Sequence, residues 1–292
     1  MRIGKLVVVG VGLIGGSFAL ALKAAKAVGA VVGVGRSEAN LRRARELGVI
    51  DSIGALDRTT LADADLVLVA TPVGQMGAVF RSLAPLAGPG TVVTDAGSTK
   101  QDVVSLARAE LGAALPRFVP GHPVAGTEKS GAEAAFPDLY RGRKVVVTPL
   151  AETDRVALAR VYEAWRSCGA EVVELDPAQH DAILAAVSHL PHVLAYALVH
   201  QLARHPQPAE LFSFAAGGFR DFTRIASSHP RMWTDICLAN REALLAELDR
   251  YGGELARIRG FLERGDAKML EALFAHARET RERWLKRDPG GK

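Results

Sequence analysis

The stretch LVVVGVGLIG, from Leu6 to Gly15, runs from a β-branched segment into the pattern G-x-G-x-x-G. An alanine-rich segment from Ser17 to Lys26 follows it and is typical of a helix. In a strand–turn–helix unit the first glycine permits the tight turn, the second admits a pyrophosphate to the backbone, and the third lets the helix pack closely on the sheet. The free N–H groups at the helix start then face the phosphates. The stretch therefore predicts a dinucleotide site whose contacts are Gly10, Gly12, Leu13, Ile14 and Gly15.

The end of the second predicted strand bears on the choice of cofactor. NAD-dependent enzymes usually place an acidic residue there to hold the ribose 2′-hydroxyl. Here the tip carries Arg36 and Ser37, and the nearest acid, Glu38, lies toward the next helix. Arg36 and Ser37 suit a 2′-phosphate, so we expect NADP to be accepted and favoured. In the alternative, Arg36 stacks on the adenine and NAD is used.

Short β-branched runs alternate with helical segments through the first half of the chain. This alternation favours an α/β Rossmann-type fold, with a doubly wound, mostly parallel sheet. After Asp176 the strand-like runs stop and helical periodicity dominates, with an interruption expected at Gly252-Gly253. We therefore predict a dinucleotide-binding domain over residues 1–176 and an all-α domain over residues 177–292. The predicted strands are Lys5–Gly10, Ala30–Val34, Leu66–Ala70, Thr91–Asp95, Arg117–Pro120, Lys144–Thr148 and Glu171–Leu175.

Composition and charge exclude several classes of protein. Arginine and glutamate are interleaved and the net charge is only +4, which argues against a nucleic-acid partner. Cys168 and Cys237 are far apart, so neither a disulfide framework nor a zinc site is expected. The apolar stretch Ala182–Ala203 contains three histidines and a proline, which argues against a membrane span. The N-terminus does not have the pattern of a signal peptide, and a cytoplasmic enzyme with a small-molecule substrate is expected.

Polar groups follow several predicted strands, and ligands bind at this edge of an open α/β sheet. The third strand is followed by Thr71 and Pro72, which are predicted cofactor contacts. The fourth is followed by DAGSTK, in which Ser98 lies near a predicted helix start. Ser98 is a candidate N-cap, cofactor contact and catalytic residue. His122 directly follows the fifth strand, can take up a proton near neutral pH, and is the predicted general base.

The helical half carries two further candidate sites. SHLPH places His189 and His192 three residues apart on one helix face, but no acidic partner lies beside them, so no metal is expected. Pro191 indicates a local kink. Arg220 and Arg224 lie four apart, so on a helix they share a face and are able to grip carboxylates bidentately. The alternative is that they form a solvated basic face.

Together these segments resemble the prephenate dehydrogenase family. The resemblance covers residues 5 to about 240, in family order, through GVGLIGGS, DAGSTK, GHPVAGTEKSG, VSHLPH, GGFRDFTRIA and PRMW. It implies a helical domain that dimerises, and hence a homodimer. It also implies that His122 accepts the hydrogen bond or proton of the substrate's ring hydroxyl, that Ser98 contacts that hydroxyl, and that Arg224 binds the ring carboxylate. The remaining positions similar to substrate-pocket positions of the family are His192, Thr127, Gly217, Arg220, Ser228 and Trp233.

The resemblance implies oxidative decarboxylation of prephenate, with hydride transfer to NAD(P), on the route to tyrosine. An arogenate-specific or dual-specificity cyclohexadienyl dehydrogenase is an alternative, because the two substrates differ only at the side chain. A β-hydroxyacid or 6-phosphogluconate-type dehydrogenase is a further alternative, but such enzymes typically rely on a catalytic lysine in the helical half. Here the lysines of that half come late, at Lys268, Lys286 and Lys292. A non-catalytic NAD(P)-sensing dimer is another alternative, since fold does not fix function.

Overall fold

A computed structural model of the chain describes residues 2–127 and 129–287. Two compact units are found among these residues. The first extends through Arg241 and the second begins at Glu242. Every candidate site residue lies in the first unit.

A six-stranded sheet forms the centre of the first unit. Its strands are β1 Ile3–Val9, β2 Val28–Val34, β3 Ser52–Ile53, β4 Leu66–Val69, β5 Val92–Asp95 and β6 Phe118–Val119. They lie in the order β3-β2-β1-β4-β5-β6, and every neighbouring pair is parallel. This is the strand order of a Rossmann dinucleotide-binding domain. The predicted fold class is confirmed, and β3 is the one strand of this sheet that the sequence did not predict.

Helices cover both faces of this sheet, and the residues of β1 alternate between the two faces. Leu6 and Val8 belong to one hydrophobic core, and Val7 and Val9 belong to the other. The alternation follows from the two-residue period of a strand, and the continuous apolar run reflects burial on both faces. The helices are α1 Leu13–Ala24, α2 Glu38–Glu46, α3 Arg58–Leu61, α4 Val73–Leu83, α5 Gln101–Glu110 and α6 Arg155–Ser167.

A second, three-stranded sheet holds residues that the sequence analysis assigned to the main sheet or to a loop. Its strands are β7 Gly121–Pro123, β8 Lys144–Val147 and β9 Glu171–Glu174. β7 is antiparallel to β8, and β8 is parallel to β9. Pro120 separates β6 from β7, and it cannot donate a ladder hydrogen bond because it has no N–H. His122 therefore lies within a strand, paired with Val146, and not in a loop after a strand.

The chain after Asp176 is helical, as predicted. A π-helical turn at Ala185–His189 stands directly before Pro191, where the missing N–H and the proline ring disrupt the regular ladder. The predicted interruption at Gly252-Gly253 is wrong, because one helix runs through both glycines. A glycine costs only about 1 kcal/mol in a helix interior, and good helix formers flank the pair. The helices are α7 Pro177–Leu184, α8 Leu190–Ala203, α9 Pro208–Ser213, α10 Gly217–Thr223, α11 Pro230–Ala239, α12 Arg241–Glu263 and α13 Ala267–Arg287.

The segment from Pro177 to Ala203 is apolar on most of its surface. By length and composition alone it could cross a membrane, and only 28% of its most apolar window is buried within the chain. Val187 is 69% exposed and Ile183 is 40% exposed. A single chain therefore leaves part of this apolar segment uncovered.

Candidate active site

The glycine-rich turn connects β1 to α1 with the geometry that a phosphate needs. Gly10 has φ +101°, and a Cβ there would lie 2.6 Å from the carbonyl oxygen of Ala70. A Cβ on Gly15 would lie 2.3 Å from the carbonyl oxygen of Gly10. A Cβ on Gly12, by contrast, meets nothing within 4 Å, and no side chain of the described residues caps the start of α1. The turn thus leaves open space and N–H groups at a helix N-terminus, which fits a pyrophosphate.

The tip of β2 presents Arg36 and Ser37 at the surface. The Ser37 hydroxyl caps α2 by accepting a 3.3 Å hydrogen bond from the Asn40 N–H. At the tip of β4, Thr71 is half-buried and Pro72 is exposed. The Thr71 hydroxyl oxygen is buried without a hydrogen-bond partner among the described residues. These positions border the carboxyl edge of the sheet, where the sequence predicts the cofactor.

An ion pair between Lys100 and Asp95 lies under this edge, and both side chains are fully buried. The Lys100 ammonium also donates to the Gly121 carbonyl oxygen at 2.8 Å. Asp95 accepts hydrogen bonds from the N–H groups of Gly97 and Gly121, at 2.7 and 3.1 Å. The pair therefore ties the end of β5 to the start of β7, and so fixes the backbone beside His122.

Ser98 lies half-buried between these two charged residues in the chain. The prediction that it caps the following helix is wrong, because α5 begins only at Gln101. Asp181 of α7 caps α5 instead. One of its carboxylate oxygens accepts the Lys100 N–H at 2.8 Å and the other accepts the Gln101 N–H at 2.9 Å. Ser98 therefore does not cap α5. Its remaining predicted role is to contact the cofactor or the substrate.

Three side chains form a continuous hydrogen-bonded series at the centre of the site. His122 Nδ1 lies 2.8 Å from His180 Nε2, and His180 Nδ1 lies 2.7 Å from an oxygen of Asp181. His122 is 8% exposed, and the other two are fully buried. Neither His180 nor Asp181 was predicted as a site residue. Two adjacent polar residues within an apolar helix were the available signal, because such groups are buried only when they have partners.

The electrostatic surroundings keep His122 neutral. Burial lowers its pKa well below the ordinary value of 6.5, and His180, Lys100 and His189 lower it further. A neutral imidazole is the form that can accept a proton. At neutral pH the side chain is therefore in the state that a general base requires.

A second group of aromatic and polar side chains continues from Asp181. Asn240 Nδ2 donates to the Asp181 carbonyl oxygen at 2.8 Å and lies 3.1 Å from His189 Nδ1. Burial lowers the pKa of His189 to about 4. The His189 ring packs edge-on against Trp233, with 6.0 Å between ring centroids, and the His192 ring stacks on the same indole at 3.6 Å. The two histidines of SHLPH therefore flank one tryptophan.

Two of these groups retain hydrogen-bonding capacity for a ligand. The Trp233 indole N–H is buried without an acceptor among the described residues. His192 Nδ1 donates to the Ser188 carbonyl oxygen at 2.9 Å, so its Nε2 is the acceptor when the ring is neutral. The pKa of His192 is lowered, mainly by burial and also by the charge of Arg224. Arg224 thus lies close enough to His192 to act on it electrostatically.

The remaining predicted substrate contacts are less closely tied to this centre. Arg224 begins the 3₁₀ turn that follows α10, so Arg220 and Arg224 do not lie on one continuous α-helix. Both arginines are exposed, as is Gly217 at the start of α10. The Ser228 carbonyl oxygen accepts a 2.6 Å hydrogen bond from the Tyr196 hydroxyl. Thr127 is exposed, and its hydroxyl accepts the Lys129 N–H at 3.2 Å.

Metal and disulfide chemistry were not expected. Among residues 2–127 and 129–287, no group of three or more His, Cys, Asp or Glu side chains is arranged to hold a metal. Cys168 is buried and Cys237 is half-buried, and each is a free thiol.

Comparisons with known proteins identify the family. The model of the nucleotide-binding domain of prephenate dehydrogenase matches residues 18–174, and the model of its dimerization domain matches residues 176–276. The chain belongs to the prephenate dehydrogenase family. As a member of that family it is an NAD(P)-dependent oxidoreductase.

Relatives in the prephenate dehydrogenase family align along nearly the whole chain. The prephenate dehydrogenase of Bacillus subtilis is 38% identical, over 95% of this chain and 75% of the relative. The cyclohexadienyl dehydrogenase of Zymomonas mobilis is 35% identical, over 94% of each chain. The crystal structure of Aquifex aeolicus prephenate dehydrogenase with hydroxyphenyl propionate and NAD⁺ has a TM-score of 0.89 and 35% identity, and covers 97% of this chain and 99% of that one. Synechocystis arogenate dehydrogenase has a TM-score of 0.79 and 28% identity, and covers 96% and 99%.

Proposed function

We propose that this chain oxidatively decarboxylates prephenate to 4-hydroxyphenylpyruvate, with hydride transfer to NAD(P), in tyrosine biosynthesis. The observation that carries the proposal is the buried, neutral His122, which Lys100 and Asp95 fix beside the carboxyl edge of a Rossmann sheet. A base in that position is what removal of a ring-hydroxyl proton requires. The names of the relatives indicate the same reaction class.

Residues of the sheet edge are proposed to hold the cofactor, which supplies the hydride acceptor when bound. The open face of Gly12 and the uncapped start of α1 support a pyrophosphate site. The buried Thr71 hydroxyl, which has no hydrogen-bond partner among the described residues, supports a further polar contact at the tip of β4. The proposed contacts are Gly10, Gly12, Leu13, Ile14, Gly15, Arg36, Ser37, Thr71, Pro72 and Ser98.

In the proposed reaction His122 takes the proton of the ring hydroxyl while Ser98 hydrogen-bonds that hydroxyl. Arg224 binds the ring carboxylate, which leaves as CO₂ as the ring carbon that bears the hydroxyl loses its hydride to the cofactor. The ring becomes aromatic, and the product oxygen takes back the proton that His122 had accepted. Orientation is the larger contribution of Arg224, because the carboxylate must be held and yet lose its charge. The proposed pocket also includes His192, Thr127, Gly217, Arg220, Ser228 and Trp233. The buried indole N–H of Trp233, which meets no acceptor in the described part of the chain, supports its place there.

Arogenate is the alternative substrate, and the chain's similarity to a cyclohexadienyl dehydrogenase and to an arogenate dehydrogenase favours testing it. The decisive experiment measures kcat/KM for prephenate and arogenate, each with NAD and with NADP. The proposal expects prephenate to be preferred. Equal values would indicate dual specificity, and turnover of neither substrate with either cofactor would refute the proposed reaction.

We propose that NADP is accepted and favoured, because Arg36 is exposed at the tip of β2 and an acidic residue is absent from the same tip. Arg36→Asp should shift the kcat/KM ratio toward NAD, since a carboxylate accepts the ribose hydroxyl and repels a 2′-phosphate. A strong NAD preference in the unaltered protein would contradict the role given to Arg36.

We propose that the chain works as a homodimer, with a domain boundary at residue 176. The match to a dimerization domain over residues 176–276 supports this assignment, and so do the exposed apolar side chains of α7 and of the π-helical turn that follows it. A second copy covering that surface would account for an apolar helix without a membrane. A cytoplasmic location without a nucleic-acid or membrane partner is proposed with it, and the free thiols of Cys168 and Cys237 support that location.

A further inference from the structure

We infer that His180 and Asp181 are positioning residues that fix the tautomer of His122, so that His122 Nε2 is the atom that accepts the substrate's proton. This inference rests on the proposed role of His122 as base. It is carried by the series His122–His180–Asp181, with its 2.8 and 2.7 Å contacts.

Asp181 is the end of the series that sets the direction of every hydrogen bond. Both of its oxygens already accept a backbone N–H from the start of α5, at 2.8 and 2.9 Å. Burial raises the pKa of Asp181, but the hydrogen bonds from His180, Gln101 and Lys100 outweigh burial and the net shift is downward. The carboxylate is therefore ionised and acts only as an acceptor.

His180 must then donate to Asp181 through Nδ1, because an ionised carboxylate has no proton to give. The pKa of His180 is lowered, mainly by burial, so the ring is neutral at pH 7. A neutral imidazole carries one proton, and with that proton on Nδ1 the Nε2 atom is a lone-pair acceptor. The contact at 2.8 Å is therefore a hydrogen bond from the Nδ1–H of His122 to His180 Nε2.

Neutral His122 also carries a single proton. Because that proton is on Nδ1, Nε2 has none. Nε2 is the atom that can accept a hydrogen bond from the ring hydroxyl. The hydrogen bond to His180 holds the His122 ring in this tautomer before the substrate binds. When Nε2 takes the proton, His122 becomes an imidazolium and keeps its hydrogen bond to His180. The Asp181 anion at the far end favours that cation, without a second proton transfer.

The surrounding elements hold the series in place. Asn240 of α11's C-terminal end donates to the Asp181 carbonyl oxygen at 2.8 Å. Four charged or titratable groups lie near His122 and His180. They are Asp95 at the end of β5, Lys100 at the start of α5, Asp181 on α7 and His189 in the π-helical turn. Capping α5 requires only the carboxylate of Asp181, so it does not account for a buried His180 between that carboxylate and His122.

Replacing His180 tests the series through catalysis. His180→Leu removes the acceptor for His122 Nδ1–H, so kcat should fall about 10- to 100-fold, less than the loss of the base itself. The KM for prephenate and the Kd for NAD(P) should stay within about 3-fold, because neither ligand is held by His180. His180→Gln should recover part of kcat, since its amide oxygen is able to accept the same hydrogen bond. A merely structural role would not give this rescue.

Asp176→Asn is the matched control. Asp176 also caps a helix with its carboxylate, at the start of the same α7, and it accepts the N–H groups of Ala178 and Gln179 at 2.8 and 3.4 Å. The side chain that hydrogen-bonds His122 is that of His180, not of Asp176, and asparagine is an equally good cap. Its kcat should be unchanged, whereas Asp181→Asn should lower kcat because the charge that favours imidazolium is lost.

Histidine tautomers give a readout independent of turnover and of variants. ¹⁵N-histidine NMR of the unaltered dimer at pH 7, assigned with His122→Asn and His180→Gln, should show His122 protonated at Nδ1 and bare at Nε2. A proton on His122 Nε2, or His180→Leu with kcat within about 3-fold of the unaltered protein, would overturn the inference. Normal turnover of His122→Asn would instead remove His122 as base and refute that part of the proposed function. If His180→Leu does not fold, His180→Gln and the tautomer measurement still decide.

Discussion

His122 combines burial, a neutral charge state and a fixed backbone in one side chain. His122→Asn should therefore lower kcat by about 10²- to 10⁴-fold, the usual contribution of a general base. Its affinity for NAD(P), measured by fluorescence titration, should change little, because the proposed phosphate contacts lie in the glycine turn and not at His122. Near-normal turnover would mean that another group takes the proton.

The charge state of His122 also predicts how activity depends on pH. Burial, His180, Lys100 and His189 lower its pKa below 6.5, so the ring stays neutral and active at pH 6.5 and above. As the pH falls through the lowered pKa, His122 is protonated and activity is lost. The acid limb of kcat/KM, which reports the free enzyme, should therefore lie below pH 6.5. A limb centred at or above 6.5 would contradict a buried, desolvated base.

Arg224 lies close enough to His192 to lower its pKa, and its proposed role is to bind the ring carboxylate. Arg224→Ala should mainly raise the KM for prephenate, because a bidentate grip on a carboxylate contributes to binding and orientation. Arg166→Ala is the control. Arg166 lies on α6 with its guanidinium over the Tyr162 ring, so removing it should leave the KM for prephenate unchanged. An unaltered KM in steady-state kinetics of Arg224→Ala would place the ring carboxylate elsewhere.

In the β1–α1 unit, one glycine is required for packing and another leaves room for a ligand. They are Gly15 and Gly12. A Cβ on Gly15 would meet the carbonyl oxygen of Gly10 at 2.3 Å and Val8 Cγ1 at 2.7 Å, so α1 would have to move. Gly15→Ala should lower the free energy of unfolding by about 1–3 kcal/mol, the usual cost of overpacking. Thermal unfolding measures this, and an unchanged Tm would show that α1 can shift without cost.

Gly12→Ala is the matched variant in the same turn. Its Cβ meets nothing within 4 Å, so the Tm should be retained. The added methyl group points into the space that a pyrophosphate needs, so the Kd for NAD(P), measured by calorimetry, should rise. Unchanged affinity would place the phosphates away from this turn.

The exposed apolar side chains of α7 and of the π-helical turn Ala185–His189 are the feature of the whole molecule that a single chain leaves uncovered. With Val187 69% exposed and Ile183 40% exposed, this surface should be buried against a second copy. Light scattering should give the mass of two chains. Val187→Glu should shift that mass toward one chain, because a carboxylate in an apolar interface is left unpaired. A single-chain mass for the unaltered protein would contradict the proposed homodimer.

Local sequence determined most of the strands and the nucleotide-binding turn, but not β3, β7 or the separate sheet that β7 forms with β8 and β9. The β-branched run and the glycine spacing in Leu6–Gly15 are local properties, so they needed no knowledge of distant residues. The helical second half followed in the same way from its 3.6-residue period. The interruption at Gly252-Gly253 failed because the cost of two glycines is smaller than the helix stability contributed by the residues around them.

Tertiary structure alone decided which groups meet. Asp181 caps α5 from 80 residues away, and His180 reaches His122 across 58. Neither contact produces a periodic pattern in the sequence, because each depends on where α7 crosses the edge of the sheet. The sequence therefore determined that a histidine and a glycine turn would lie near one edge. The tertiary fold decided how His122 is oriented. Only packing places the buried carboxylate of Asp181 against His180, which is the hydrogen-bond partner of His122.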